Sequence, residues 1–256
     1  MTATGRWIAI FLLGVSGVLT TGSLPGRAAE LTVAVNHAPP YRILDDIDGR
    51  PVYSGIYINV LEEAARRTGL QLTYQNVPFR RALLLMETGG ADLMLGPNRT
   101  PEREDFMYFL KAELPAEPKA VYIAQAAGDV LDLSDLAGQT VGVMRGASYN
   151  PAFDMALGID RVEATDYATL FRMLDQGRLR AVIVPSLLAS HLLRHESFAI
   201  RKASLVLDGQ PSFIAVSRAS RFFTEERYEG LENALIAMRE DGTFDRIYQH
   251  YDGSGL

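Results

Sequence analysis

The sequence has no cysteine among its 256 residues. This absence excludes disulfides, thiol chemistry, cysteine-ligated metals and a lipid anchor attached through cysteine. The histidines at His191, His195 and His250 show no metal-binding spacing with acidic residues, so we expect neither a metal nor a cofactor. Ser148 and Ser186 lack a recognisable His and Asp arrangement, which argues against a hydrolase.

Basic residues are in the minority, with 25 Lys and Arg against 31 Asp and Glu. Removing the first 28 residues takes away Arg6 and Arg27 but no acid. The formal net charge then moves from −6 to −8, with 23 basic and 31 acidic residues. Nucleic acids and anionic membranes require basic surfaces, so neither is an expected partner.

A long apolar run occurs only near the start of the chain. Arg6 precedes the apolar core Trp7–Val18, and Gly26 and Ala28 put small residues where a signal peptidase cleaves. The core is too short to span a bilayer. The sequence therefore predicts a secretory signal peptide over residues 1–28 and a periplasmic mature protein.

The rest of the chain alternates between apolar strands and amphipathic helices. Strands are predicted at residues 31–35, 70–74 and 92–95, with helices over residues 60–68 and from residue 78 onwards. This β-α-β-α-β order predicts an α/β fold whose sheet is mostly parallel and has helices on its faces.

A second unit repeats part of this pattern. Residues 79–98 and 167–186 both run from an amphipathic helix through glycine and an apolar strand to a proline and a small polar residue. We therefore expect two lobes joined by hinge strands. The expected boundaries are 29–119 and 213–256 for lobe 1, 125–210 for lobe 2, and hinges near 120–124 and 211–216.

The stretch Gly96–Asp105 gives the clearest indication of a binding site. Thr100 lies where a helix N-cap belongs, and Pro101 occupies the first helical position. Free amide groups there would lie beside the guanidinium of Arg103 and attract a carboxylate or another small anion. The alternative is a solvated arginine paired with a neighbouring acid, and this stretch alone leaves both open.

Several motifs in order resemble the bacterial extracellular solute-binding proteins of family 3, the periplasmic components of polar amino-acid ABC transporters. They include PPY at Pro39–Tyr41, PFRRAL from Pro78, TPERED from Thr100 and GRLRAVIVPS ending at Ser186. The resemblance covers nearly all of the mature chain. It implies a two-lobed, type II periplasmic-binding-protein-like fold, with each lobe a mostly parallel sheet flanked by helices.

The same resemblance implies a function and a set of site residues. A monomer would capture a small carboxylate-bearing solute, an amino acid or related organic acid, and present it to the membrane permease of an ABC transporter. Tyr41 would pack on the ligand and Arg103 would grip its carboxylate. Asn98 and Thr100 would bond beside it, and Gly146–Ser148 would contribute backbone N–H groups.

Departures from the family pattern concern the ligand's positive charge. Amino-acid binders usually carry an aspartate where this chain has Pro185, and Tyr57 stands at a usually acidic position. A buried ammonium left unpaired costs on the order of several kcal/mol, so a standard zwitterionic amino acid fits less well. Glu163 or Asp166 could restore the missing charge. Ser186 and, as a second anion contact, Arg81 complete the candidate site.

Two other functions are consistent with the same sequence. A dehydratase acting on a cyclic carboxylate would need a general acid or base, for which Glu163, Asp166, His37 or Lys119 would have to serve. None of these lies in a recognised catalytic motif, so we expect no enzymatic activity. A ligand-sensing protein that docks on a membrane receptor would look the same in sequence.

Overall fold

The computed structural model describes residues 30–251 as an α/β protein with two five-stranded sheets. The predicted signal peptide over residues 1–28 lies outside the described residues. Within residues 30–251, no helix is long and apolar enough to cross a membrane. Each sheet and its helices form one lobe, so the predicted two-lobed α/β architecture is confirmed.

The first lobe is built from both ends of the described chain. Its elements are β1 (Glu30–Val35), β2 (Ile43–Ile47), β3 (Arg50–Ser54), α1 (Ile56–Thr68), β4 (Gln71–Asn76), α2 (Phe79–Thr88), β5 (Leu93–Asn98), α3 (Pro101–Glu104), β6 (Met107–Phe109), β12 (Ser212–Ser217), α7 (Glu225–Glu240) and α8 (Thr243–Tyr251). The strand order is β4-β1-β5-β12-β6, with β2 and β3 forming a separate hairpin. β1 runs parallel to β4 and β5, as predicted, and β12 is antiparallel to its neighbours.

The second lobe is the continuous middle of the chain. Its elements are β7 (Lys119–Ala124), a 3-10 turn (Leu133–Leu136), β8 (Thr140–Met144), α4 (Pro151–Asp154), β9 (Asp160–Ala164), α5 (Tyr167–Asp175), β10 (Ala181–Pro185), α6 (Ser186–His195) and β11 (Ile200–Leu207). The strand order is β11-β7-β10-β8-β9. β10 and β9 run parallel to β8, whereas β7 is antiparallel to β10.

The predicted helices form where apolar residues recur on one face. α1 starts at Ile56, four residues before its predicted start, and ends before Gly69. Gly69 has φ +67°, and its N–H donates to the carbonyl oxygen of Ala65, which closes the helix as the sequence indicated. Seven side chains of α1 are buried against the sheet and helices α7 and α8, so this packing holds the helix in place.

Gly55 lets α1 dock on the PPY loop. Its φ is +109°, and a Cβ there would lie 2.7 Å from the carbonyl oxygen of Tyr41 and 2.8 Å from that of Pro40. Without this side chain, Tyr57 N–H donates to the Tyr41 carbonyl at 2.9 Å. The glycine therefore fixes the position of Tyr57 beside Tyr41.

The chain crosses between the lobes through residues 110–118 and 208–211. The predicted hinge segments lie next to these crossings, because β7 belongs wholly to the second sheet and β12 to the first. The crossings contact each other, and Leu114 N–H donates to the Ser212 carbonyl at 2.7 Å. A Cβ on Gly209 would overlap the backbone of Glu117, so this contact requires glycine.

Candidate ligand-binding cleft

A cavity of about 60 Å³ lies between the lobes, at the ends of strands from both sheets. Tyr41 and Asn98 line it from the loops and strand ends of the first lobe, and Ser148 and Pro185 line it from the second. Ligands of open α/β sheets bind at such strand ends. The volume is several times what one water molecule needs, so the space suits a small solute.

Arg103 joins the two lobes. Its side chain is buried at 7% exposure, and its Nη1 donates to the Asn98 carbonyl at 2.8 Å. Its Nη2 donates to the carbonyl of Gly146 in the second lobe, also at 2.8 Å. The guanidinium Cζ lies 5.7 Å from the ring centre of Phe79. Arg103 thus points into the cleft rather than to bulk solvent.

Burial lowers the pKa of Arg103 to about 10, although Asp154 and Glu102 act to raise it. The side chain is therefore still charged at neutral pH. None of the ion pairs within residues 30–251 includes Arg103. The solvated, acid-paired alternative from the sequence therefore does not describe this arginine, which is buried and bonded only to carbonyls. A buried cation with such partners retains the capacity to bind an anion.

Arg103 lines a wider groove of about 680 Å³ that adjoins the cavity. Thr100, Gly146 and Ser148 line the same groove, and Ser148 also lines the cavity. Thr100 occupies the N-cap position of α3, but its side chain makes no capping hydrogen bond. α3 is a single turn of four residues, so the start of this helix contributes less to anion binding than the sequence indicated.

The loop after β8 presents both carbonyl and amide groups to this groove. Gly146 has φ +79° and accepts the bond from Arg103 through its carbonyl. Ser148 Oγ donates to Asp154, the last residue of α4, at 2.6 Å, which holds the loop against this helix. Within residues 30–251, the N–H groups of Gly146 and Ser148 donate to no protein acceptor. These amides remain free for the predicted anion contact.

Tyrosines form the apolar wall of the cavity. Tyr41 and Tyr57 are buried with ring centres 4.8 Å apart, and the Tyr41 hydroxyl has no hydrogen-bond partner among the described residues. Opposite them, the hydroxyls of Tyr149 and Tyr167 lie 3.2 Å apart. All four side chains line the cavity. They can stack on a ligand or donate hydrogen bonds to it.

Asn98 has a positioning contact as well as a place in the cavity. Its Nδ2 donates to the carbonyls of Gln210 and Pro211, at 3.3 Å and 3.0 Å. These bonds tie the end of β5 to the returning crossing segment. Asn98 therefore links the cavity wall to the passage between the lobes.

Two predicted site residues lie outside both spaces. Arg81 is exposed on α2 and lines a separate surface pocket with Arg80 and Arg145. Ser186 Oγ donates to the Pro118 carbonyl at 2.9 Å, which anchors α6 to the first crossing segment. Pro185, by contrast, does face the cavity, where the family pattern led us to expect an acid.

Sequence reasoning missed Arg42, which lines the cavity at 5% exposure. Its Nε donates to the Asn36 carbonyl at 3.2 Å and its Nη1 to the Leu95 carbonyl at 2.9 Å. Burial lowers its pKa to about 10. Gly96 makes room for it, because a Cβ there would overlap Nη1. The sequence signal that could have identified Arg42 is its position, as a charged residue directly after the PPY motif.

Two further cavity residues lie where the first crossing leads into β7. Lys119 is buried at 6% exposure, and burial lowers its pKa. Burial raises the pKa of Glu117 to about 7, against the opposing effects of the Leu187 N–H and Lys119. The sequence analysis named Lys119 only as a candidate general acid or base. No local sequence pattern pointed to Glu117. Within the described part of the chain, no cluster of His, Cys, Asp and Glu side chains could hold a metal ion.

Two α/β lobes that enclose a cationic, tyrosine-lined cavity at their strand ends define a two-lobed solute-binding protein. Residues 31–254 match the family "Bacterial extracellular solute-binding proteins, family 3". The chain belongs to this family. No curated protein matches its sequence.

Solved structures share the fold. An ancestral arginine-binding protein bound to arginine has a TM-score of 0.76 at 23% identity, over 88% of this chain and 99% of its own. A substrate-binding protein of an amino-acid ABC transporter from Streptococcus pneumoniae, bound to L-arginine, has a TM-score of 0.75 at 21% identity, over 87% and 94%. A histidine kinase sensor domain has a TM-score of 0.73 at 18% identity, over 89% and 96%.

Proposed function

We propose that this protein captures a small carboxylate-bearing solute between its lobes and presents it to the membrane permease of an ABC-type uptake system. The observation that carries the proposal is Arg103, a buried cation that spans the cleft without an acidic partner. The two free amides of the Gly146–Ser148 loop supply further donors for the same carboxylate.

The ligands of the structural neighbours support capture of an amino acid or a related acid. Two of those proteins are bound to arginine, an amino acid with an α-carboxylate. The signal-like sequence of residues 1–28 supports action in the periplasm. Binding of the anion across the cleft would hold both lobes together, in the way that hinge-closing proteins retain their ligands.

Mass spectrometry of small molecules released from the purified protein tests this proposal. Calorimetry should then show that Arg103→Met weakens binding of the released carboxylate by about tenfold to a hundredfold, since a charge-assisted hydrogen bond contributes roughly 1.5–3 kcal/mol. Arg178→Met, at an exposed arginine of the second lobe, is the matched control. Failure to bind any carboxylate, or unchanged affinity in Arg103→Met, would contradict the proposal.

One observation favours the dehydratase alternative. Glu117 and Lys119 line the cavity together, and a carboxyl with a pKa of about 7 is suited to general acid–base catalysis. Incubation with cyclic carboxylates that carry a β-leaving group, followed by product analysis, separates the two functions. A binding protein returns these compounds unchanged.

A further inference from the structure

The cavity holds two buried cations from opposite lobes. Arg42 reaches it from the loop after β1, and Lys119 from the first residue of β7. Both side chains are more than nine-tenths buried. Neither takes part in any ion pair of residues 30–251. Two unpaired charges in one small cavity are costly unless an anion accompanies them.

Their hydrogen bonds leave donors free. Arg42 uses Nε and Nη1 on the carbonyls of Asn36 and Leu95, which leaves Nη2 without a protein acceptor among the described residues. Within the same residues, Lys119 Nζ has no hydrogen-bond acceptor either. Carbonyls position these groups but do not neutralise them, so the capacity to bind a charged oxygen remains.

Glu117 is the one acid that lines this cavity within residues 30–251, and it offsets the two cations only in part. It accepts a hydrogen bond from Leu187 N–H, which directs it toward the start of α6. One acid against two bases leaves the cavity net positive. Arg103 adds a third cation in the adjoining groove.

We propose that Arg42 and Lys119 form a second anion subsite, so that the ligand carries two anionic groups and is a short dicarboxylate. One carboxylate would lie at Arg103 and the other at Arg42 and Lys119. This inference rests on the proposed function and deepens it. It also accounts for Pro185, because a ligand without an ammonium group needs no acid at that strand end.

Calorimetry with isosteric pairs tests this assignment. The probes are succinate and glutarate against their half-amides, succinamate and glutaramate, which keep the shape but lose one charge. We expect the wild-type protein to prefer the dicarboxylate by about tenfold to a hundredfold. Lys119→Met should remove most of that preference, because the dicarboxylate loses more affinity than its half-amide does. Lys202→Met, at an exposed lysine, is the matched control and should keep the preference.

Arg42 provides a second, independent variant. Arg42→Lys retains the positive charge and should keep part of the preference, whereas Arg42→Gln should lose it; melting curves verify that each variant is folded. Equal affinity for dicarboxylate and half-amide overturns the second subsite while leaving carboxylate capture intact. Tighter binding of asparagine than of succinate also overturns it. If neither member of any pair binds, the short-dicarboxylate assignment fails, whereas carboxylate capture is decided separately by the molecules released from the purified protein.

Discussion

Arg103 Nη2 donates to the carbonyl oxygen of Gly146 across the cleft, at 2.8 Å. The first residue belongs to the one-turn helix of the first lobe, and the second belongs to the loop after β8 in the second. A single side chain therefore connects the two lobes and, under the proposed function, also carries the charge that attracts the ligand. In that proposal, ligand binding and lobe closure are linked through this guanidinium.

Replacing Arg103 should give a graded loss of affinity. Arg103→Lys keeps a point charge but not the two-branched geometry that reaches both Asn98 and Gly146, so binding should weaken by about tenfold. Arg103→Met should weaken it further. Calorimetry with the released carboxylate measures both. Equal affinities for the two variants would contradict this prediction, since the charge that lysine retains would then contribute nothing to binding.

Gly96→Ala should destabilise the fold because the new Cβ would overlap Arg42 Nη1 and lie 2.8 Å from the Tyr57 ring. Gly177→Ala is the matched control, since Gly177 also has positive φ but nothing within 4 Å of its Cβ position. Backbone strain alone costs about 1–2 kcal/mol. Crowding should add about 1–3 kcal/mol at Gly96 only. Similar melting temperatures for the two variants would contradict this packing.

The crossing segments provide a cleaner steric test. A Cβ on Gly209 would overlap the Glu117 backbone, whereas one on Gly128 meets nothing within 4 Å, and neither glycine has positive φ. Gly209→Ala should therefore lower the melting temperature by several degrees, at roughly 2–4 °C per kcal/mol. Gly128→Ala should leave it unchanged or raise it slightly.

Glu117 should make the free energy of unfolding depend on pH. Burial raises its pKa to about 7, above that of an unfolded glutamate, so its contribution is complete below about 4.5 and is lost as pH rises through about 7. The loss should amount to at most about 3 kcal/mol. Urea titrations of the wild-type protein and Glu117→Gln measure it. The variant should show a flatter profile over this window, and parallel profiles would refute the shift.

The same ionisation should affect ligand affinity. A negative charge that forms beside Lys119 as pH rises through about 7 should weaken binding of an anion. Calorimetry on either side of that pH should show tighter binding on the acidic side. Glu117→Gln should lose this dependence, and a wild-type affinity that does not change with pH would contradict the prediction.

The sequence was informative where the signal was local. The apolar face of α1, its stop at Gly69 and the parallel pairing of β1 with β4 all follow from short-range patterns. Arg103 was proposed because charge, proline and an N-cap residue stand together, although Thr100 makes no side-chain capping hydrogen bond in the structure.

The missed residues depend on distant contacts. Arg42 becomes a cavity residue because Gly96, more than fifty positions later, leaves space for its guanidinium. Glu117 is half-buried in the cavity wall, where it accepts a hydrogen bond from Leu187 N–H at the start of α6. No local pattern encodes either contact, so periodicity and capping rules could not identify these side chains.

The tyrosine wall has a practical consequence for spectroscopy. The only tryptophan of the chain, Trp7, lies in the predicted signal peptide, so a protein beginning at Ala29 would emit from tyrosine alone. Four of its phenol rings surround the cavity. Ultraviolet fluorescence would then respond directly to an occupant, without a label and without a dominant indole signal to obscure it.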